Sequence, residues 1–151
     1  MQIKVYTPKH LQENTNNCAY IYAHAGAGVA MSAADFSALL RHYAVEFNVV
    51  VFNVDYRIAP ETRCPNNVKD FYESIKYISK NAESLGVDPN KIIIAGDIGG
   101  GYICLGAMVM LAQNNESHLV KLAIPGLPMV DDYCFSDPLA MTQEERNSAG
   151  T

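Results

Sequence analysis

The sequence predicts an α/β fold: a mostly parallel sheet of about five strands with helices on both faces. Three observations carry this expectation. Short β-rich runs alternate with helical periods in the order β, β, α, β, α, β, α, β. The inner runs are almost continuously apolar, as strands covered on both faces are. Each helical period lies between two such runs, and right-handed crossovers then make neighbouring strands parallel.

In chain order, "QIKVYT" alternates polar and apolar residues, as a half-exposed strand does. "CAYIYA" (Cys18–Ala23) and "VVVFNV" (Val49–Val54) read as buried strands. Between them Phe36, Leu39, Leu40, Tyr43 and Phe47 recur at three- and four-residue steps. Ser32 and Asp35 form a capping-box pattern just ahead of that helix. Val68, Phe71, Tyr72, Ile75 and Ile78 make one face of a second helix, with Pro65 suited to its first turn. "GVDPNK" (Gly86–Lys91) reads as a turn, and "KIIIA" (Lys91–Ala95) as the next strand. A third helix, from about Gly100 to Gln113, is apolar nearly all round and so predicted to be buried. After the turn "QNNESH", "LVKLAI" (Leu119–Ile124) is the last strand; beyond Pro125 the pattern is loop-like, with a helix beginning near Met141.

The chain of 151 residues is the size of one domain, 1–151, with 49% apolar and 18% charged residues. Its net charge is -5 and it has no Lys/Arg run, which argues against nucleic acid and anionic membrane as partners. Its apolar runs are too short for a transmembrane helix. The N-terminal "MQIKVYTPKH" has neither an apolar core nor a cleavage pattern of a signal peptide. Cys18, Cys64, Cys104 and Cys134 are unevenly spaced without a CxxC pair. They read as reduced thiols and not as metal ligands, in a cytoplasmic protein needing no metal or cofactor.

Ligands of such sheets sit beyond the carboxyl ends of the strands. Three segments should meet there: "AHAGAG" after Ala23, "DYRIAPE" after Val54 and "GDIGGG" after Ala95, joined by the loop around Asp131 and Asp132. Gly96, Gly99 and Gly101 between a strand and a helix superficially suit a phosphate. Their spacing is not G-x-G-x-x-G, no acidic residue follows where a ribose contact belongs, and Asp97 would repel a pyrophosphate. The alternative is a nucleophile elbow, G-x-S-x-G, whose small residues let strand and helix approach closely. Gly96 and Gly100 take those places and the apex falls on Ile98. Gly99 would then offer its N–H to an oxyanion hole, with further donors from His24-Ala25-Gly26-Ala27-Gly28.

"AHAGAG", "VVVFNVDYRIAPETRCP", "DPNKIIIAGDIGGG" and "LAIPGLPMVDD" stand in the order and spacing of the hormone-sensitive-lipase-like family, the alpha/beta hydrolase fold-3 group. The resemblance covers roughly Ile3 to Asp132. Members carry His-Gly-Gly-Gly, Asp-Tyr-Arg-Leu-Ala-Pro-Glu and Gly-Asp-Ser-Ala-Gly-Gly, and hydrolyse carboxylic esters with a Ser-His-Asp triad. The resemblance implies a partial α/β-hydrolase fold in which Gly26, Ala27 and Gly99 match the oxyanion donors. His24 matches the motif histidine that holds the loop, and Ala27 suits its place only if its backbone angles are ordinary. Arg57 and Glu61 match residues bracing the loop into the second helix; Asp97 is expected to brace the turn.

Ile98 stands where the family has its serine, and a hydrocarbon cannot attack a carbonyl. The triad acid and histidine lie in the last third of the family's chain, so the resemblance implies a C-terminally truncated domain without them. His10, His42 and His118 read as surface or packing residues, Cys104 as a small core hydrophobe, and Asp131 and Asp132 as structural or solvated. The expected protein is catalytically inactive. The alternatives are a binder of a small hydrophobic ester or lipid-like ligand, as the similar plant gibberellin receptors keep the pocket without the full triad, or association through an unpaired sheet edge.

Overall fold

The computed structural model describes residues 1–9, 11 and 16–130. Its strands are β1 (Gln2–Tyr6), β2 (Asn17–Ala23), β3 (Val50–Asp55), β4 (Val87–Asp97) and β5 (Leu122–Gly126). Its helices are α1 (Ser37–Glu46), α2 (Asn66–Lys80) and α3 (Gly99–Gln113). The sheet order is β1-β3-β2-β4-β5, with β1 antiparallel to β3 and all other pairs parallel. The expected class, strand number and parallel pairing are those observed.

Apolar patterning places the helices. On one face, Tyr22, Val51 and Ala95 meet Leu40 and Ala44 of α1. On the other, Ile21, Phe52, Val54, Ile92 and Ile94 pack with Phe71, Ile75 and Ile78 of α2 and Ile103, Cys104 and Ala107 of α3. Phe71 is fully buried, and a side chain of that size contributes about 3 kcal/mol by leaving water. α3 buries Ile103, Cys104, Ala107 and Leu111 between the sheet and α2, whereas Tyr102, Met108 and Val109 are exposed, so the burial expected of it holds on one side only.

The chain runs from β2 to β3 in one direction across the sheet, and from β3 past β2 to β4 in the other. α1 and α3 therefore leave neighbouring strands toward opposite faces, and a crevice opens between the carboxyl ends of β2 and β4. Ala23 is paired with Gly96 there. Topology alone thus brings "AHAGAG" and "GDIGGG" together.

Strand ends differ from expectation by one or two residues, and four element starts have a structural reason. α1 starts at Ser37, after the capping-box residues. Asp35 Oδ2 does accept from Ser32 N–H at 2.8 Å, but this closes a separate turn before the helix. α3 opens at Gly99, one residue earlier than expected. β4 begins at Val87, so "GVDPNK" is a bulge within a strand: β2 pairs at Asn17↔Val87 and resumes at Ala19↔Ile92. Asp88 Oδ1, accepting from Asn90 N–H at 2.8 Å, gives the excess residues their turn. β5 starts at Leu122 because Ser117–Leu119 is spent in a 3-10 turn. The helix expected near Met141 lies outside the described residues, as do Asp131, Asp132 and Cys134. No helix among the described residues is long and apolar enough to cross a membrane.

α3 packs tightly against α2 at Gly106, where an added Cβ would lie 2.8 Å from Val68 Cγ1. Replacing a mid-helix glycine by alanine gains about 1 kcal/mol of propensity, whereas overpacking costs about 1–3 kcal/mol. Gly106→Ala is therefore expected to destabilise the fold by about 1 kcal/mol, measured by urea denaturation. In a Val68→Ala background the same change is expected to stabilise. Equal effects in both backgrounds would show that the Val68 contact does not set the helix spacing.

Candidate active site

Ile98 forms the apex of the turn from β4 into α3, at φ 55° and ψ -107°. Few residues hold this conformation, and a β-branched one meets most resistance. Ile98 N–H donates to Gly126 O at 2.8 Å, and Ile98 O accepts from Tyr102 N–H at 3.1 Å. Gly96, Gly99 and Gly100 account for the rest of the geometry. A Cβ on Gly96 or Gly100 would run into the carbonyl of Ala23 or that of Gly100 itself, and one on Gly99 would lie 2.6 Å from Ala27 Cα. The turn is imposed by these backbone contacts, whichever side chain sits at the apex. Ile98 is 48% exposed, so its side chain points outward and contributes little packing.

The loop after β2 lies against this turn. Gly26, Ala27 and Gly28 have φ values of 121°, 53° and 72°. Ala27 thus does not meet the condition of ordinary backbone angles, and its methyl group is carried in a region glycine prefers. Gly26 O accepts from Val29 N–H and Ala30 N–H, both at 3.0 Å, and Gly28 O accepts from Ala59 N–H at 2.8 Å. Ala27 N–H has no acceptor among the described residues. Gly99 opens α3, where the first N–H groups have no intrahelical acceptor. Two outward backbone donors therefore adjoin each other beside Ile98.

His24 anchors that loop from inside. Its ring is fully buried, stacked 4.1 Å from Tyr56 and 6.1 Å from Phe36 between centroids. Nδ1–H donates to Ala25 O at 2.7 Å, leaving Nε2 without a hydrogen-bond partner, 3.9 Å from Asp55 Oδ1. Burial lowers its pKa, outweighing the opposite pull of Asp55 and Asp35. Tyr56 OH donates to His24 O at 2.6 Å. Asp55 Oδ1 accepts from Ala33 N–H at 2.8 Å, and Asn53 Nδ2 donates to Ala33 O at 2.7 Å. Strand β3 therefore holds both ends of the loop, through residue types that its apolar pattern does not announce.

Asp97 braces the elbow from the other face: Tyr22 OH donates to its Oδ2 at 2.6 Å. Burial first, then this bond, holds the Tyr22 phenol far above its ordinary pKa. Arg57 also braces its loop, through Nε and Nη2 donating to Asp70 of α2 at 2.8 and 2.7 Å, with Arg57 N–H at 3.1 Å. Burial opposes ionisation of Asp70, but Arg57 outweighs it and lowers the pKa. Glu61 is the exception. It is exposed and makes no hydrogen bond or ion pair among the described residues, so the expected brace is the Arg57–Asp70 pair alone.

The other histidines do not join the site: His42 is on the exposed side of α1, and His118 precedes β5 at the opposite end of the sheet. His10 lies outside the described residues. Cys104 is buried in α3, which pushes its thiol up to about 12. No metal-ligating group of three or more His, Cys, Asp or Glu occurs among the described residues. Sequence reading missed Tyr22, Tyr56 and Asp70. The sequence around Asp70, "VKDFYESI", mixes charged and apolar residues and gave no signal for it.

A parallel sheet with an elbow and a donor loop at its switch point defines the α/β hydrolase class. The family model described as alpha/beta hydrolase fold matches residues 20–149. The chain belongs to this family, the hormone-sensitive-lipase-like carboxylesterases. It is 34% identical over 140 residues to arylacetamide deacetylase-like 2 of Homo sapiens, covering 87% of this chain and 34% of that protein. It is 34% identical over 113 residues to carboxylesterase NlhH of Mycobacterium tuberculosis, covering 74% of this chain and 34% of that one. An esterase structure from Pyrobaculum calidifontis superposes with a TM-score of 0.81 at 33% identity, covering 90% of this chain and 42% of the other. The chain thus spans about a third of the length of these curated relatives.

Non-glycine residues held in such backbone regions cost about 1–3 kcal/mol. Returning a glycine to the unfolded chain gives back about 0.4–1 kcal/mol. Ile98→Gly is therefore expected to raise stability by about 1 kcal/mol in urea denaturation. Gly100→Ala is expected to prevent folding, since its Cβ would overlap two backbone carbonyls. A destabilised Ile98→Gly variant would show that the turn is not strained.

His24 has its own signature. Its folded pKa is below the unfolded value, so the unfolded chain binds the extra proton first as pH falls. Stability should be complete above about pH 6.5 and decline as pH falls from there through the folded pKa. Urea midpoints between about pH 7 and pH 5 test this. His24→Gln is expected to be less stable at neutral pH and to lose that part of the slope; an unchanged slope would place the titration elsewhere.

Proposed function

We propose that this chain is a non-hydrolysing member of its carboxylesterase family. One observation carries the reading: the elbow keeps its shape while Ile98 occupies the nucleophile's place at φ 55° and ψ -107°. Gly26, Ala27 and Gly99 act as the remnant of an oxyanion-binding loop, with His24, Asp97, Gly96, Gly100 and Arg57 as its supports. Without a nucleophile, binding and such donors alone give about 10³–10⁴ over water in a well-built site. Neither His24, locked in its stack, nor His42 nor His118 offers a base to the apex.

A second reading follows from the exposure of Ile98 beside Ala27 N–H, which has no acceptor among the described residues. That pairing suits a small hydrophobic ester or lipid-like ligand, its carbonyl toward the donors and its chain on Ile98. Association is supported by β5, an edge strand whose Leu122 and Ile124 are 51% and 47% exposed.

The purified chain should neither turn over p-nitrophenyl acetate or butyrate nor be labelled by a fluorophosphonate probe. Ile98→Ser alone should not restore turnover. Serine-type hydrolysis that the probe abolishes in the unmodified chain would overturn the proposal. Thermal stabilisation by short esters would favour the ligand-binding reading, and a concentration-independent monomer on size-exclusion chromatography would remove the associating one.

A further inference from the structure

The molecule has a groove far from the elbow, between the exit of β1 and the side of α1. Its volume is about 590 Å³, within the range of small-molecule sites. Tyr6, Pro8, Ala44 and Val45 supply an apolar floor and wall, and Lys9 and Arg41 are its charged members. The geometry points to a binding site for a small amphipathic organic anion, a carboxylate with a medium-length alkyl chain.

Charge and chain are separated along the groove in a way that suits such a ligand. Tyr6 turns toward α1, donating through its hydroxyl to Ser37 Oγ at 2.9 Å, and the Arg41 guanidinium sits 5.6 Å from its ring centroid. That contact holds the guanidinium near the groove, with no carboxylate partner among the described residues. No ion pair among the described residues involves Arg41 or Lys9, and no carboxylate lines the groove there. Glu46 is outside the lining, one step round the helix from Val45.

The groove borders the carboxyl end of α1, whose dipole disfavours an anion. The carbonyls concerned are already capped: Ala44 O accepts from Val49 N–H at 3.2 Å and Val45 O from Asn48 N–H at 3.4 Å. Two full positive charges then outweigh a capped partial one. Val45 is 69% exposed, a cost in water that an alkyl chain lying along it would remove. A fully hydrophobic ligand would leave both cations unused, and a cationic one would be repelled.

Sodium decanoate below its micelle concentration is the probe, followed by amide NMR and by calorimetry. Saturable shifts are expected at Tyr6, Lys9, Ala44 and Val45. Lys9→Glu, which disturbs no described contact, and Arg41→Glu should each weaken binding, together by about tenfold or more. Val45→Asp should do the same by charging the apolar wall, with the fold confirmed by an unchanged amide spectrum elsewhere. Decyltrimethylammonium of the same chain length should not bind. Three results would overturn the inference: shifts scattered over the surface, equal binding of the cationic chain, or decanoate affinity indifferent to the charge reversals. Binding to phosphatidylglycerol vesicles without binding of free decanoate would overturn it too, in favour of a lipid surface.

Discussion

The missing Cβ atoms at Gly96, Gly99 and Gly100 are the constraint on which the described structure turns. They let the first turn of α3 rest on the carbonyls that end β2, closer than any side chain permits. From that contact follow the sharp reversal out of β4, the placement of α3 against the sheet, and the meeting of two loops at one crevice. The apex residue contributes nothing to this. Its unusual backbone angles are a consequence of the packing around it, which is why an isoleucine can stand there.

The same logic explains why the architecture of the elbow is kept with an isoleucine at its apex. An elbow is costly to hold, and here the cost is met by β-sheet pairing, buried apolar area and the hydrogen bonds of Tyr22, Tyr56 and Arg57. None of these needs a nucleophile. The donor loop is likewise supported from below, by the His24 stack and by Asn53 and Asp55, and carries a second strained residue in Ala27. Ala27 and Ile98 are two of the non-glycine residues held at positive φ, as Met31, Asn48, Asn115 and Leu127 also are, and both are exposed at the crevice.

Legibility in the sequence followed periodicity and spacing. The five strands and three helices were readable because burial on two faces leaves continuous apolar runs and burial on one leaves steps of three and four. The boundaries that shifted did so where local and tertiary preferences compete. "GVDPNK" has turn chemistry, yet its flanks are held in the sheet by β2, so the turn survives as a bulge. Ser32 and Asp35 made their bonds, but these close a turn of their own and the helix starts beyond it, at Ser37. Glu61 makes no bond among the described residues, and a motif position carries no information on whether a partner is within reach.

By itself the sequence determined the class of fold, the segments that gather at the carboxyl edge, and the absence of a nucleophile at the apex. These depend on residue type and on spacing along one chain. Only the tertiary structure decided which carboxylate holds Arg57, that Tyr22 and Tyr56 tie the two loops, and that Ala27 and Ile98 are strained. Each of those depends on distances between segments far apart in the chain, and on φ values that neighbouring backbone imposes. A pattern of residue types contains neither.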